Sequence, residues 1–206
     1  MKFEVYNLKM ESKEYRVFDV VDIPKQLRVI YPQGSTPNIF ANAIGFDFLE
    51  SIFKIVSVKM KSNCILRIKD NSKKIERFHE WYSDSTEFHL DMIIYNCNYT
   101  QISSKKIKRL LKMLKYTKKT VINIDVPNID YRNDKWWELE GRLNVDKRAN
   151  FLMISSTSYG FLYKSEEASR YHDMEDDENE FFEHSHLFAL CKNEDLLDMR
   201  YYYERP

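Results

Sequence analysis

His184 and His186 stand two apart in the segment YHDMEDDENEFFEHSH, residues 171 to 186, which holds seven carboxylates and three histidines in sixteen positions. Alternate residues of a strand project to one face. Two imidazoles so placed, joined by His172, Asp173 or a nearby glutamate, make a donor set for a divalent metal. The H-x-H spacing is weakly specific, and no H-E-x-x-H or facial-triad spacing accompanies it. Half-buried, hydrogen-bonded histidines on a strand explain the pair more simply.

The carboxylates carry a different meaning. Asp173, Glu175, Asp176, Asp177, Glu178, Glu180 and Glu183 repel one another. A folded chain keeps such a run for a wet loop or for a partner. Tyr171 precedes it, and Phe181 and Phe182 lie at its end. Acids that steer an encounter beside aromatics that form a dry contact suit a basic protein partner. An immunity or inhibitor protein that neutralises a toxin or nuclease needs such a surface, because carboxylates can take the place of phosphates. A plain acidic loop, or one folded against a basic helix of the same chain, is the bland alternative. Exposed ion pairs of that kind contribute little each.

A basic counterpart exists. Residues 101 to 120 hold Lys105, Lys106, Lys108, Arg109, Lys112, Lys115, Lys118 and Lys119 and no acid, while residues 166 to 183 hold nine carboxylates against Arg170. The formal net charge of zero hides this segregation. Lys105, Lys108, Arg109 and Lys112 are the candidate contacts to nucleic-acid phosphates, where each neutralised phosphate adds affinity by releasing counterions. With an ion on His184 and His186, the same helix fits a metal-dependent phosphoesterase. Against this, lysine outnumbers arginine seven to one, and no aromatic falls among the charges before Tyr116. The solvated face of a surface helix is the plain reading.

Nothing in the chain signals nucleophilic catalysis or a bound cofactor. There is no G-x-S-x-G, P-loop or G-x-G-x-x-G, and four glycines cannot build a phosphate cradle. Cys97 with His79 or His89, and the loose set His79, Asp84, His89 and Asp91, read as structural. Cys64, Cys97 and Cys191 include no C-x-x-C, so free thiols in a reducing cytoplasm are expected. The start of the sequence lacks a signal-peptide core. The most apolar stretch, residues 38 to 58, is broken by Asp47, Glu50 and Lys54, so no membrane span is expected. Zero net charge leaves self-association open. These traits favour a non-enzymatic, cytoplasmic binding protein.

The elements that must hold these residues follow from periodicity. KFEVYNLKM and EYRVFDVVD alternate as a hairpin about ESK. Thr36 and Pro37 predict the start of a helix, with Phe40, Ile44, Phe48, Leu49, Ile52 and Phe53 on its buried stripe. IVSVKMKSNCILRIK predicts a hairpin, and SKKIERFHEWY a short helix. EFHLDMIIYN, SSKKIKRLLKMLKY and KTVINIDV predict strand, helix and strand, a βαβ-like unit over residues 86 to 126 with parallel strands. Its helix is capped by Ser103 or Ser104 and buries Ile107, Leu110, Leu111 and Leu114. NDKWWELEGRL predicts a helix, in which adjacent Trp136 and Trp137 point about 100° apart, so that one is partly exposed. NFLMISS and GFLYKSE predict a hairpin around TSY, and EFFEHSHLFAL and DMRYYYERP two closing strands. The expectation is α+β: a mixed β-sheet with three to four helices, in one domain spanning 1–206 with a subdivision conceivable near 127–134.

Overall fold

The computed structural model describes residues 1–25, 27–31, 37–70, 90–131, 143–148, 150–171, 184–186 and 198–201. β1 (Lys2–Met10) and β2 (Lys13–Val20) form the predicted hairpin, with Met10 paired to Lys13 across Glu11 and Ser12. Glu11 takes the φ of 59° that a two-residue turn needs at its first central position.

This hairpin belongs to a seven-stranded sheet ordered β7-β1-β2-β5-β6-β9-β8, where β5 is Cys64–Ile68, β6 Asp91–Asn96, β7 Lys119–Asn123, β8 Leu143–Arg148 and β9 Phe151–Ser156. β2 with β5 and β6 with β9 are parallel, and the other neighbours are antiparallel. The sheet is therefore mixed, and with its helices the fold is α+β, as predicted. Both faces of the sheet are buried. Phe3, Val5, Phe18, Leu66 and Ile94 lie in one core, and Tyr6, Leu8, Val17, Ile65 and Ile93 in the other. Strand alternation divides them in this way.

The first core is roofed by α1 (Ala43–Val58) and α3 (Ser158–Ser169), which join through the stacked Phe53 and Phe161 rings, 5.9 Å between centroids. α1 starts later than predicted. β4 (Asn38–Ala41) precedes it, and Asn42 is the cap, its Oδ1 accepting from the Gly45 amide at 3.1 Å. Phe40 thus lies on a strand, and Ile44 is 59% exposed, whereas Phe48, Leu49, Ile52 and Phe53 are buried as expected. Thr36 lies outside the described residues. The first strand of the hairpin predicted over residues 55 to 69 is also corrected. α1 runs through Val58, and only β5 is a strand, parallel to β2. Likewise GFLYKSE is helical. Thr157 Oγ1 accepts from the Gly160 amide at 3.1 Å and starts α3, while β9 forms its hairpin with β8.

The second core is covered by α2 (Ser104–Met113) and the 3-10 turn Leu114–Tyr116 that continues it. Strand, helix and strand follow in the predicted order, but the strands are not parallel. β6 is antiparallel to β5, β5 parallel to β2, β2 antiparallel to β1, and β1 antiparallel to β7. β6 and β7 therefore run in opposite directions, with three strands between them. The reason is reach. Four strand spacings come to about 19 Å, and α2 with its 3-10 turn covers about 21 Å. A helix of that length spans the sheet from β6 to its far edge and does not carry the chain back along a strand.

A second, four-stranded sheet is ordered β10-β11-β4-β3, with β3 at Arg28–Ile30, β10 at His184–His186 and β11 at Asp198–Tyr201. Val29, Ile39 and Met199 bring it into the first core. The two predicted closing strands are represented by β10 and β11. The helices predicted over residues 72–82 and 133–143 fall outside the described residues, Leu143 excepted, which opens β8. Among the described residues no helix is long and apolar enough to cross a membrane.

Candidate functional site

The orientation of α2 is fixed by its apolar side. Ile107, Leu110 and Leu114 are buried, and Leu111 is half-buried. Ser103 caps the helix by accepting from the Lys106 amide at 3.4 Å. The opposite side then carries Lys105, Lys108, Arg109, Lys112, Lys115 and Tyr116 at i, i+3, i+4, i+7, i+10 and i+11, one continuous stripe. All six are exposed, Tyr116 to 91%. The stripe is about 16 Å long at 1.5 Å per residue.

Among the described residues, Lys105, Lys108, Arg109, Lys112 and Lys115 form no ion pair. The lysines that do pair lie beside the stripe. Lys106 Nζ is 2.8 Å from Glu11 Oε2, which raises the lysine pKa and lowers that of the carboxyl. Lys119 Nζ is 2.5 Å from Glu4 Oε1. The first turn of α2 holds no acid, so Lys105 and Lys106 face the positive end of the helix dipole. Lys105 with Arg109 and Lys108 with Lys112 are repulsive i,i+4 pairs. Each repulsion costs the helix a few tenths of a kcal/mol, while Lys112 in its last turn is favourable to the dipole.

The acidic candidates Asp173, Glu175, Asp176, Asp177, Glu178, Glu180, Phe181 and Glu183 lie outside the described residues, as do His172, His79, Asp84 and His89. His184 and His186 stand on β10 in register with Arg200 and Asp198 of β11. Among the described residues no group of three or more His, Cys, Asp and Glu could hold a metal ion.

Two further polar clusters stand out, of which the sequence pointed only to Asp91 and Cys97, both expected to be structural. On the α2 side of the sheet, Glu4, Asp19, Arg67 and Asp91 sit on four successive strands. Asp19 is 1% exposed and takes Arg67 Nε at 2.8 Å, Arg67 Nη2 at 2.5 Å and Lys69 Nζ at 2.8 Å. Arg67 Nη1 lies 3.8 Å from Asp91, which also accepts the Asp70 amide at 2.9 Å. Burial pushes the Asp91 carboxyl up, and the Lys119 hydrogen bond pulls Glu4 down. Tyr6 donates to Glu4 at 3.1 Å, and burial pushes it to about 12. Charges here are matched and their hydrogen bonds made, which is the pattern of a structural network. The signal was available, since each residue is a polar intruder at a period-two position of a core face.

The second cluster lies where β6 and β9, parallel neighbours, end. α2 and α3 then depart to opposite faces, the topology at which open sheets bind ligands. Here the space is taken by mutual hydrogen bonds. Asn96 Nδ2 donates to Ser158 Oγ at 2.8 Å, Ser57 Oγ to the Ser158 carbonyl at 2.8 Å, and the Asn98 amide to Asn96 Oδ1 at 3.0 Å. Lys61 donates to Tyr99 Oη at 3.3 Å and lowers that tyrosine's pKa. Cys97 lies half-buried beside this joint. Cys64 is buried, and burial pushes its thiol up. No protein-family model, curated protein or solved structure matches the chain.

Proposed function

We propose that the protein binds nucleic acid through the outward stripe of α2, with Lys105, Lys108, Arg109, Lys112 and Lys115 set against phosphates. The observation that carries this reading is the geometry of the charge. Five cations stand on one exposed helix side with no ion pair among the described residues, ahead of an exposed tyrosine. Binding of this kind is electrostatic, and its phosphate contacts carry no sequence information. We place this activity in the cytoplasm, on the strength of three cysteines with no C-x-x-C.

The test is affinity for a labelled mixed-sequence RNA across a salt series, for wild type and for the quadruple variant Lys105→Gln, Lys108→Gln, Arg109→Gln, Lys112→Gln. The variant should bind at least tenfold more weakly, with a shallower salt dependence. Equal affinity and equal slope overturn the reading.

The density of the acidic segment supports a second reading: residues 173 to 183 engage a basic protein, as an immunity or inhibitor protein would. Glu175, Asp176, Asp177 and Glu178 changed to Gln or Asn should release a basic partner that wild type retains from nuclease-treated lysate. Retention by both proteins clears the segment of that role.

A further inference from the structure

We propose that the ligand of the α2 stripe is single-stranded nucleic acid, held by phosphate contacts along the helix and by stacking of one unpaired base on Tyr116. This inference rests on the phosphate-binding reading above and names its substrate class.

Tyr116 supplies the first argument. It is 91% exposed and lies four residues beyond Lys112 and seven beyond Arg109, in line with the cations. Exposing a tyrosine ring forgoes the burial that aromatic side chains normally gain. Such a ring offers a face on which any base can stack, and stacking of this kind tolerates sequence. Bases inside a duplex are already stacked on one another. A ring at the end of a phosphate-binding ridge therefore gains a partner only from an unpaired strand.

The other end of the helix supplies the second. Recognition helices of the helix-turn-helix kind contact duplex DNA with their N-terminal residues in the major groove. At the N-terminal end of α2, the Glu11 carboxylate stands 2.8 Å from Lys106 on the β1–β2 turn. That carboxylate repels phosphates where a groove-reading helix would need to enter. The cations that form no ion pair among the described residues, and the exposed ring, instead run along the side of α2 to its C-terminal end.

The test uses the full chain, three fluorescent probes and three variants. The probes are an oligouridylate of about twelve nucleotides, which exceeds a short single-strand site, a mixed-sequence DNA duplex of equal length, and phosphatidylserine vesicles. The variants are Tyr116→Ala, Tyr116→Phe and the quadruple glutamine variant. The expected result is binding of the oligouridylate in preference to the duplex. Tyr116→Ala should cost about tenfold on the single strand, by the loss of one stacked base, and nothing on the duplex. Tyr116→Phe should restore wild-type affinity. Equal binding of strand and duplex, with Tyr116→Ala silent on both, overturns single-strand selectivity and leaves the phosphate reading standing. Binding of neither nucleic acid, or of the vesicles alone, overturns both. Because Tyr116 is so exposed, its replacement leaves folding intact, and a circular-dichroism melt of each variant checks this.

Discussion

Asp19 is the residue on which most local order converges. It is buried, and it receives both arms of Arg67 and the Lys69 ammonium. Removing the Asp19 charge leaves the half-buried Arg67 with Asp91 alone, 3.8 Å away, and loses charge-assisted hydrogen bonds, which costs about 2 kcal/mol. Asp19→Asn should lower the stability measured by urea unfolding by that amount, whereas Glu11→Gln, at an exposed pair, should leave it unchanged within error. The neighbouring acids have opposite pH signatures. Glu4 has a lowered folded pKa, so its contribution is present above its unfolded pKa and lost as pH falls through the lowered value. Asp91 has a raised folded pKa, so the stability linked to it is present in acid and lost as pH rises through the raised value. Glu4→Gln should therefore destabilise at neutral pH and not in strong acid. Asp91→Asn should stabilise at neutral pH, with the gain fading in acid. Unfolding midpoints of both variants from about pH 3 to 8, the span over which such carboxyls titrate, check the two signs together. At this scale the sequence was partly legible: the stripe of α2 could be read from spacing alone. The partners of Asp19 could not, because Arg67 lies 48 residues away and nothing local announces a cross-strand pair.

Element by element, errors of reading arose where an inner face is polar or where two periods overlap. α3 buries Gly160, Phe161, Lys164, Ser165, Glu167 and Ala168, and three of these six are polar. Lys164 meets Glu167 at 3.2 Å and Ser165 meets the Tyr131 hydroxyl at 2.9 Å, so the face is satisfied without being apolar. GFLYKSE therefore displayed no helical signal. Residues 55 to 60 alternate like a strand while also completing the stripe of α1, and the helix prevails because Ile52, Phe53 and Val56 pack into one core. α2 was legible because its segregation of leucine from lysine is complete. Two substitutions test the local accounts. Gly45→Ala ought to favour α1 by about 1 kcal/mol on propensity, yet the new Cβ would come 2.7 Å from the Ala41 Cβ on β4. The methyl of Ala41 cannot rotate away, so a lower melting temperature is expected. Leu110→Ala, at a fully buried position of α2, should cost about 2 to 5 kcal/mol in denaturant unfolding.

At the scale of the whole molecule, the mixed sheet is the scaffold that sets α2 apart. One face is closed by α1, α3 and the smaller sheet, and the other is crossed by α2, whose inner leucines hold it flat while its lysines face out. The α+β class was legible from the count and kind of elements. The strand order was not, since the parallel pairs β2–β5 and β6–β9 join segments that local periodicity treats independently. Charge segregation was visible from the start, and the structure adds that the outward stripe of α2 forms no ion pair among the described residues, whereas Lys106 beside it pairs with Glu11. The central claim is that this ridge binds phosphates, and the most direct measurement is the slope of log affinity for single-stranded RNA against log salt concentration. Five phosphate contacts give a slope of about −3.5 for a single strand. Wild type should approach that value, and the quadruple variant Lys105→Gln, Lys108→Gln, Arg109→Gln, Lys112→Gln should fall to about −0.7, the slope for one remaining contact. A slope near zero for wild type, or one that the four substitutions leave unchanged, contradicts the account.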